Sequence, residues 1–492
     1  MKPTYLLALD QGTSSTRALV FSATGAVLAV AQEELTQYYP QPGWVEHDPA
    51  EIAATQYRVA TQALQQAGIT ASEVAAAGLT NQRESIVVWD KRSGEPLTRV
   101  LVWQDRRTAE RMAGFSASDA ERIAERTGLP LDPYFSASKL EWLLDHTPGL
   151  RARAEAGEVC AGTIDTWVTY YLTQGEAFIT DVSNASRTML LNLHTGQWDD
   201  ELLRTFRIPR AILPEVRESG GDLATFARGE LAGIPLYAIL GDQQAATFGQ
   251  ACFAPGQTKV TYGTGCFLMM NAGSEIQPPP NGLIATSFYD YGGKRNFAVE
   301  GSVFNAGSLV QWLRDGLGMI ETSAETETLA RQVASSEGVT LVPAFTGLGA
   351  PYWDASARGL LIGLTRGTDK RHIARAALEA IALQVRDVIE TLPSGSVSEL
   401  RVDGGAAAND FMMQLQADLL NLPVLRPASL ESTAFGVAAL AGVHAGVLAG
   451  TEAVEALWAA ERVFEPQSDL SYVPALVDNW ERAITRCRGW SL

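Results

Sequence analysis

Asp10-Gln11-Gly12-Thr13-Ser14-Ser15-Thr16-Arg17 sets a carboxylate at the end of an apolar run, then small and hydroxylated residues, then a fixed cation. These are parts for handling phosphate. Small residues let backbone N–H groups approach phosphate oxygens, hydroxyls add donors, Asp10 can hold a hydrated divalent cation, and Arg17 offsets charge on a transferring group. An ordinary surface hairpin draws on the same Gly and Ser. Two later turns repeat the pattern. Tyr262-Gly263-Thr264-Gly265 precedes an apolar strand, and Val402-Asp403-Gly404-Gly405-Ala406 follows one, leaving bare backbone against which a flat base or ribose could lie. Each alone is equally a glycine turn between elements; three in one chain favour a phosphate and nucleoside reading. The turns are not a P-loop, since no G-x-x-x-x-G-K followed by Ser or Thr occurs, and no G-x-G-x-x-G fingerprint is present.

A second group of residues suits a small polyhydroxylated molecule. Asn81-Gln82-Arg83-Glu84 gathers four hydrogen-bonding side chains in one loop, and each hydroxyl of a polyol wants a donor and an acceptor. Trp103 follows an apolar strand and either covers the C–H face of such a molecule or is a core aromatic. Gly241-Asp242-Gln243-Gln244 puts a carboxylate at the mouth of a strand, where a general base belongs in an open α/β sheet and where a helix N-cap also belongs. The five histidines show no metal spacing, fall outside these loops, and receive no catalytic part.

The elements that must hold these residues alternate between strand and helix, which predicts an α/β protein. Strands are expected over Tyr5–Leu9, Arg17–Ser22 and Ala26–Ala31, then a helix opened by Asp48-Pro49 and stopped at Gly68. Ala75–Leu79 and Ser85–Trp89 read as further strands. From Pro235 the order echoes the start, with strands at Leu236–Leu240, Thr258–Thr261 and Phe267–Met270, so two related halves are expected with a boundary near Gly249 to Gly256. Leu378, Ile381, Ala382, Val385, Val388 and Ile389 keep helical spacing on one face, with Asp369 as cap.

At 492 residues the chain exceeds what one core usually organises, so two or more domains and a cleft between them are expected. With 56 acidic against 38 basic side chains the net charge is -18, which argues against nucleic-acid binding and acidic lipid. Any phosphate must be held locally. The four cysteines are far apart without a C-x-x-C pair, which suggests neither disulfides nor zinc and fits a reduced, cytoplasmic setting. The N-terminus lacks a signal-peptide apolar region. The apolar stretch Phe435–Gly450 is interrupted by His444 and falls short of the roughly 20 residues of a membrane span, so a buried Ala/Gly-rich helix is predicted.

Read together, ALDQGTSSTRA from Ala8, PGWVEHDP from Pro42, TNQRES from Thr80, DPYFSASK from Asp132, TDVSNASRTML from Thr180, GDQQAATFGQ from Gly241, YGTGCF from Tyr262, VPAFTGLGAPYWD from Val342 and RVDGGAAAND from Arg401 strongly resemble the glycerol kinases within the FGGY carbohydrate kinases. The resemblance spans nearly the whole chain. It implies two actin-like, ribonuclease H-like domains, each a mixed sheet flanked by helices, with the active site in the cleft between them. Residues 1–250 would bind polyol, phosphate and magnesium, and residues 251–492 the nucleotide. It further implies ATP-dependent phosphorylation of glycerol, with Asp242 as general base. Arg83, Glu84, Tyr134, Asp242 and Gln243 would bind the hydroxyls, and Trp103 and Phe267 would form an apolar wall. Thr13, Ser14, Ser15 and Arg17 would meet the phosphates and Asp10 the Mg2+. Thr264, Gly307, Gln311, Gly405 and Asn409 would meet the nucleotide.

A homodimer or homotetramer is the expected assembly. The segment Gly229–Pro235 is poorer in glycine than the fructose 1,6-bisphosphate loop of enteric relatives and has Gly233 where their Arg falls, so that inhibition is not expected. The rival readings are a kinase for another polyol or ketose, xylulokinase-like, and a chaperone-like ATPase of the same fold. The first usually shows a different loop at residues 81–84; the second needs neither Trp103 nor the Arg83-Glu84 pair.

Overall fold

The computed structural model describes residues 4–276, 278–280, 282–429 and 431–490. Its first half opens with β1 (Tyr5–Gln11), β2 (Ser15–Phe21) and β3 (Val27–Glu34), an antiparallel meander. Helix α1 (Pro49–Ala67) follows, its N-terminus capped by Asp48 Oδ1 accepting from Ala50 N at 2.9 Å and its end released at Gly68, whose φ of 69° a side chain would resist. Then come β4 (Val74–Asn81), β5 (Gly220–Thr225) and β6 (Pro235–Gly241); β4 pairs parallel with both β1 and β6. Residues 6–10 of β1 are all buried, as a central strand covered on both faces requires.

The second half repeats this plan. β7 (Thr258–Tyr262), β8 (Cys266–Gly273) and, after β9 (Ile284–Tyr291), β10 (Lys294–Val303) form the meander β7-β8-β10. β7 then pairs parallel with β11 (Leu400–Asp403), and β11 with β12 (Val424–Pro427). Leaving aside β5 and β9, which lie at the junction, the first half runs β3-β2-β1-β4-β6 and the second β10-β8-β7-β11-β12, in each case third, second, first, fourth, fifth across the sheet. The faint sequence echo is therefore a repeated topology. The halves meet where β5 and β9 pair at Gly220 and Tyr291, so the strands join into one 13-stranded sheet.

Helices cover both faces. α2 (Asp242–Gly249) leaves β6 directly, and α3 (Lys370–Ile389), capped by Asp369 Oδ1 on Arg371 N at 2.9 Å, packs on the second sheet. α4 (Asp410–Leu420) follows β11, and α5 (Ser432–His444) crosses back onto the first sheet, against β1, β4 and β6. Where α2 and α5 cross, their backbones touch. A Cβ on Gly436 would overlap the Ala245 carbonyl, and one on Gly249 would overlap that of Ser432. The predicted Ala/Gly-rich helix is α5, and among the described residues no helix is long and apolar enough to cross a membrane.

Candidate active site

The loop after β4 turns sharply. Glu84 adopts φ 61°, a left-handed conformation uncommon for a residue with a side chain, and both Arg83 and Glu84 are buried. The arrangement is held by charge. Arg83 donates from Nη1 and Nη2 to the Glu300 carboxylate at 2.6 and 2.9 Å, while Nε lies 3.2 Å from Asp242 Oδ1 and Nη1 also reaches Gln244 Oε1 at 3.1 Å. Arg187 donates from Nε to Glu84 Oε1 at 2.6 Å and from Nη2 to Glu300 Oε1 at 3.1 Å. Two arginines and two glutamates thus neutralise one another out of water. Burial alone would raise the Glu300 carboxyl, but Arg187 and Arg83 override it and hold the group at about 2.

Asp242 is the first residue of α2; Gly241 is the N-cap, and Asp242 Oδ1 accepts from Gln243 N at 2.7 Å. The N-cap expected at Asp242 thus falls one residue earlier, and Asp242 opens the helix itself. Its side chain is 33% exposed, at the mouth of the cleft. Burial pushes its carboxyl up to about 6 against the pull of Arg83, with Glu84 adding to the rise and Lys259 opposing it. Such a carboxylate accepts a proton near neutral pH and is not strongly basic before one is offered.

Aromatic rings complete this end. Trp103 stands edge-on to Tyr134 at 5.7 Å and to Phe267 at 6.2 Å between centroids, and its Nε1 donates to Thr13 Oγ1 at 2.9 Å. Trp103 is thus half-buried, packed against the core on one side and joined to the Thr13–Ser15 turn on the other. Tyr134 is held by the buried Lys139, whose Nζ donates to the carbonyls of Pro133 and Tyr134.

Thr13, Ser14 and Ser15 form the β1–β2 turn, closed by Gly12 N donating to Ser15 O at 3.0 Å. The β1–β2 register places Arg17 opposite Asp10, and Arg17 donates from Nε (3.0 Å) and Nη2 (2.5 Å) to Asp10 Oδ2. Its Nη1 reaches Glu431 Oε2 of the second half at 2.8 Å. No described donor reaches Asp10 Oδ1, so one oxygen of this nearly buried carboxylate is available to a cation. Among the described residues no three His, Cys, Asp or Glu side chains gather into a metal cage. That donor set fits Mg2+, which takes one or two carboxylates and completes its shell with water and phosphate oxygens.

Thr264, Gly307, Gln311, Gly405 and Asn409 line a single cavity of about 510 Å³ in the second half, floored by Leu378, Ile381 and Met412. Its volume falls in the range of small-molecule sites. The backbone is brought close by glycine. A Cβ on Gly307 would stand 2.6 Å from Gly263 O, Gly404 has φ 86°, and Gly405 faces open space. Asn409 Oδ1 caps α4 through Met412 N at 2.9 Å, leaving its amide nitrogen for a long contact of 3.5 Å with Thr326 Oγ1. The same hairpin that carries Gly263–Gly265 carries Phe267, so this cavity and the ring cluster of Trp103, Tyr134 and Phe267 both draw on β7 and β8.

Several residues of this site escaped the sequence reading. Glu300 and Arg187 complete the buried charge network. Lys259 donates to Gln243 Oε1, and Glu431 holds Arg17. His47, given no part, is buried beside the 81–84 loop, with Nε2 on Gln37 Oε1 at 2.8 Å and Nδ1 3.4 Å from Gln82 Nε2; burial lowers it to about 4, so it is neutral. The only sequence signal for it was its place in the Pro42–Pro49 motif.

Residues 5–249 match the N-terminal domain, and residues 258–445 the C-terminal domain, of the FGGY family of carbohydrate kinases. The chain belongs to the FGGY family of carbohydrate kinases. Its curated relatives include a glycerol kinase of Deinococcus radiodurans, 54% identical over 490 residues that cover 99% of this chain and 98% of that protein. A glycerol kinase of Aromatoleum aromaticum is 55% identical over 493 residues, 99% of each chain. The crystal structure of Plasmodium falciparum glycerol kinase with ADP aligns at a TM-score of 0.90 and 33% identity, covering 98% of both chains.

Proposed function

We propose that this protein transfers the terminal phosphoryl group of ATP to a hydroxyl of glycerol, giving sn-glycerol 3-phosphate, in the cytoplasm. The observation that carries the reading is the union, on one β7–β8 hairpin, of a nucleotide-sized cavity with the wall of a small polar cleft holding Asp242, Arg83 and Glu84. The full-length similarity to curated glycerol kinases supports glycerol as the acceptor.

In this reading residues 1–250 bind polyol and phosphate and residues 251–492 the nucleotide. Thr264, Gly307, Gln311, Gly405 and Asn409 hold the nucleotide, and Thr13, Ser14 and Ser15 present donors to its phosphates. Glycerol lies against Trp103 and Phe267, with Arg83, Glu84, Tyr134 and Gln243 on its hydroxyls. Asp242 accepts the proton of the attacking hydroxyl late in an in-line displacement, and Arg17 offsets charge on the transferring group. Asp10 would hold magnesium, which when bound would neutralise the phosphate oxygens. Arg83 spends its donors chiefly on Glu300 and Asp242, so its larger contribution is to hold Asp242 in place. The assembly is a homodimer or homotetramer.

The test is ADP release with ATP and magnesium, comparing glycerol, dihydroxyacetone, xylulose, ribulose and no acceptor, with Asp242→Asn alongside. Glycerol-dependent release that falls by about 10²–10⁴ in the variant supports the reading and the base. Preference for another acceptor overturns glycerol, and acceptor-independent turnover overturns the kinase.

A further inference from the structure

Lys259 has no part in the reaction as described, yet its placement is costly. It stands on β7 with its side chain fully buried, and a buried ammonium is tolerated only where hydrogen bonds and opposite charge offset its lost hydration. Nζ donates to Gln243 Oε1 at 2.6 Å and to Thr261 Oγ1 at 2.8 Å. Burial pulls the amine down to about 8, opposed by the charges of Asp403 and Asp242, with Arg83 assisting the fall and Glu300 resisting it. It therefore stays mainly protonated at neutral pH.

An ammonium has donors and no acceptor, whereas an amide has one of each. Lys259 can face only the oxygen of Gln243, which fixes the amide orientation by chemistry and leaves Nε2 on the opposite side. Among the described residues no acceptor meets that Nε2, although Gln243 is only 8% exposed. The neighbouring residue is Asp242, an acceptor. We propose that Lys259 is a positioning residue that locks the Gln243 amide with its NH2 toward the acceptor substrate, so that Gln243 and Asp242 offer a donor and an acceptor side by side, as a hydroxyl requires. The inference rests on the kinase reading above. Because Lys259 lies on the second half and Gln243 on the first, the orientation is imposed across the buried junction between the halves.

The test is a double-mutant cycle in the full-length protein, reading KM for glycerol and for ATP separately. Lys259→Met raises the glycerol KM about tenfold, the scale of one hydrogen bond, and leaves the ATP KM within about twofold. In a Gln243→Ala background the same substitution adds less than about twofold, because its route is already removed. Gln243→Glu keeps the contact to Lys259 but has no donor to offer, and it raises the glycerol KM similarly without loss of stability. If Lys259→Met does not fold, Lys259→Gln runs the same cycle: its amide donates or accepts, so the lock is lost and the glycerol KM rises severalfold in the parent background but not beside Gln243→Ala. Independent, multiplying effects in the cycle, or a change confined to ATP, overturn the proposal. Unchanged glycerol KM in Gln243→Ala overturns it too while leaving the kinase standing, whereas a parent protein without glycerol-dependent ADP release refutes the kinase reading itself.

Discussion

Glu300→Gln is the most revealing single change, because it keeps the shape of a fully buried side chain and removes only the charge that balances Arg83 and Arg187. Holding this carboxyl at about 2 rather than its ordinary 4.5 corresponds to about 3 kcal/mol of preference for the charged form in the folded protein. Removing one member of a buried ion pair typically costs about 3–5 kcal/mol, in the same direction. The sign with pH follows. A depressed carboxyl contributes its stability above the unfolded value near 4.5 and loses it as pH falls toward 2. Urea unfolding of parent and variant at neutral pH should therefore differ by about 3 kcal/mol, and between about pH 4.5 and 2 the parent should lose stability more steeply than the variant. A difference under about 1 kcal/mol, the range of exposed ion pairs, with parallel acid slopes would refute the network as the support of the polyol loop.

Further expectations concern the reaction and the close backbone approaches. With Asp242 raised to about 6 in the unliganded protein, a base there is protonated below that pH, so kcat/KM for glycerol should fall on the acid side with a midpoint near 6; a flat profile from pH 5 to 8 would exclude Asp242. Gly307→Ala puts a Cβ 2.6 Å from Gly263 O and should raise the ATP KM by roughly tenfold with glycerol binding unchanged, a split that equilibrium titration of each ligand would register. Gly436→Ala forces α5 away from α2 and should cost about 1–3 kcal/mol in urea unfolding; an unchanged midpoint would mean the crossing has slack.

The repeated fold was partly legible in the sequence because its signals are local. Asp48-Pro49 and Gly68 bound α1 within one residue of expectation, since caps and stops depend only on nearby backbone. The three glycine and hydroxyl turns were also visible, as only small residues admit such close approach. What the sequence hid are partners distant along the chain. Glu300 sits 217 residues from Arg83 and reads as an ordinary strand residue until the sheet brings them together. Lys259 likewise reads as a solvated charge at a strand start, yet it is buried against a helix from the other half. Whether Asp242 is a base or a helix N-cap was undecidable from its neighbours; the structure puts the N-cap at Gly241 and Asp242 one residue on, with its carboxyl raised to about 6.

The return of α5 onto the first sheet has a consequence for how the chain leaves the ribosome. The face of β1, β4 and β6 that bears Leu6, Ala8, Ala76, Ala238 and Leu240 is closed by Ala434, Val437, Ala438 and Ala441 of α5. Those residues are synthesised roughly 180 positions after α2 ends, an interval on the order of ten to forty seconds at ordinary translation speeds. For that time the nascent first half carries an uncovered apolar surface, so its folding waits on the emergence of α5 from a much later stretch of the chain.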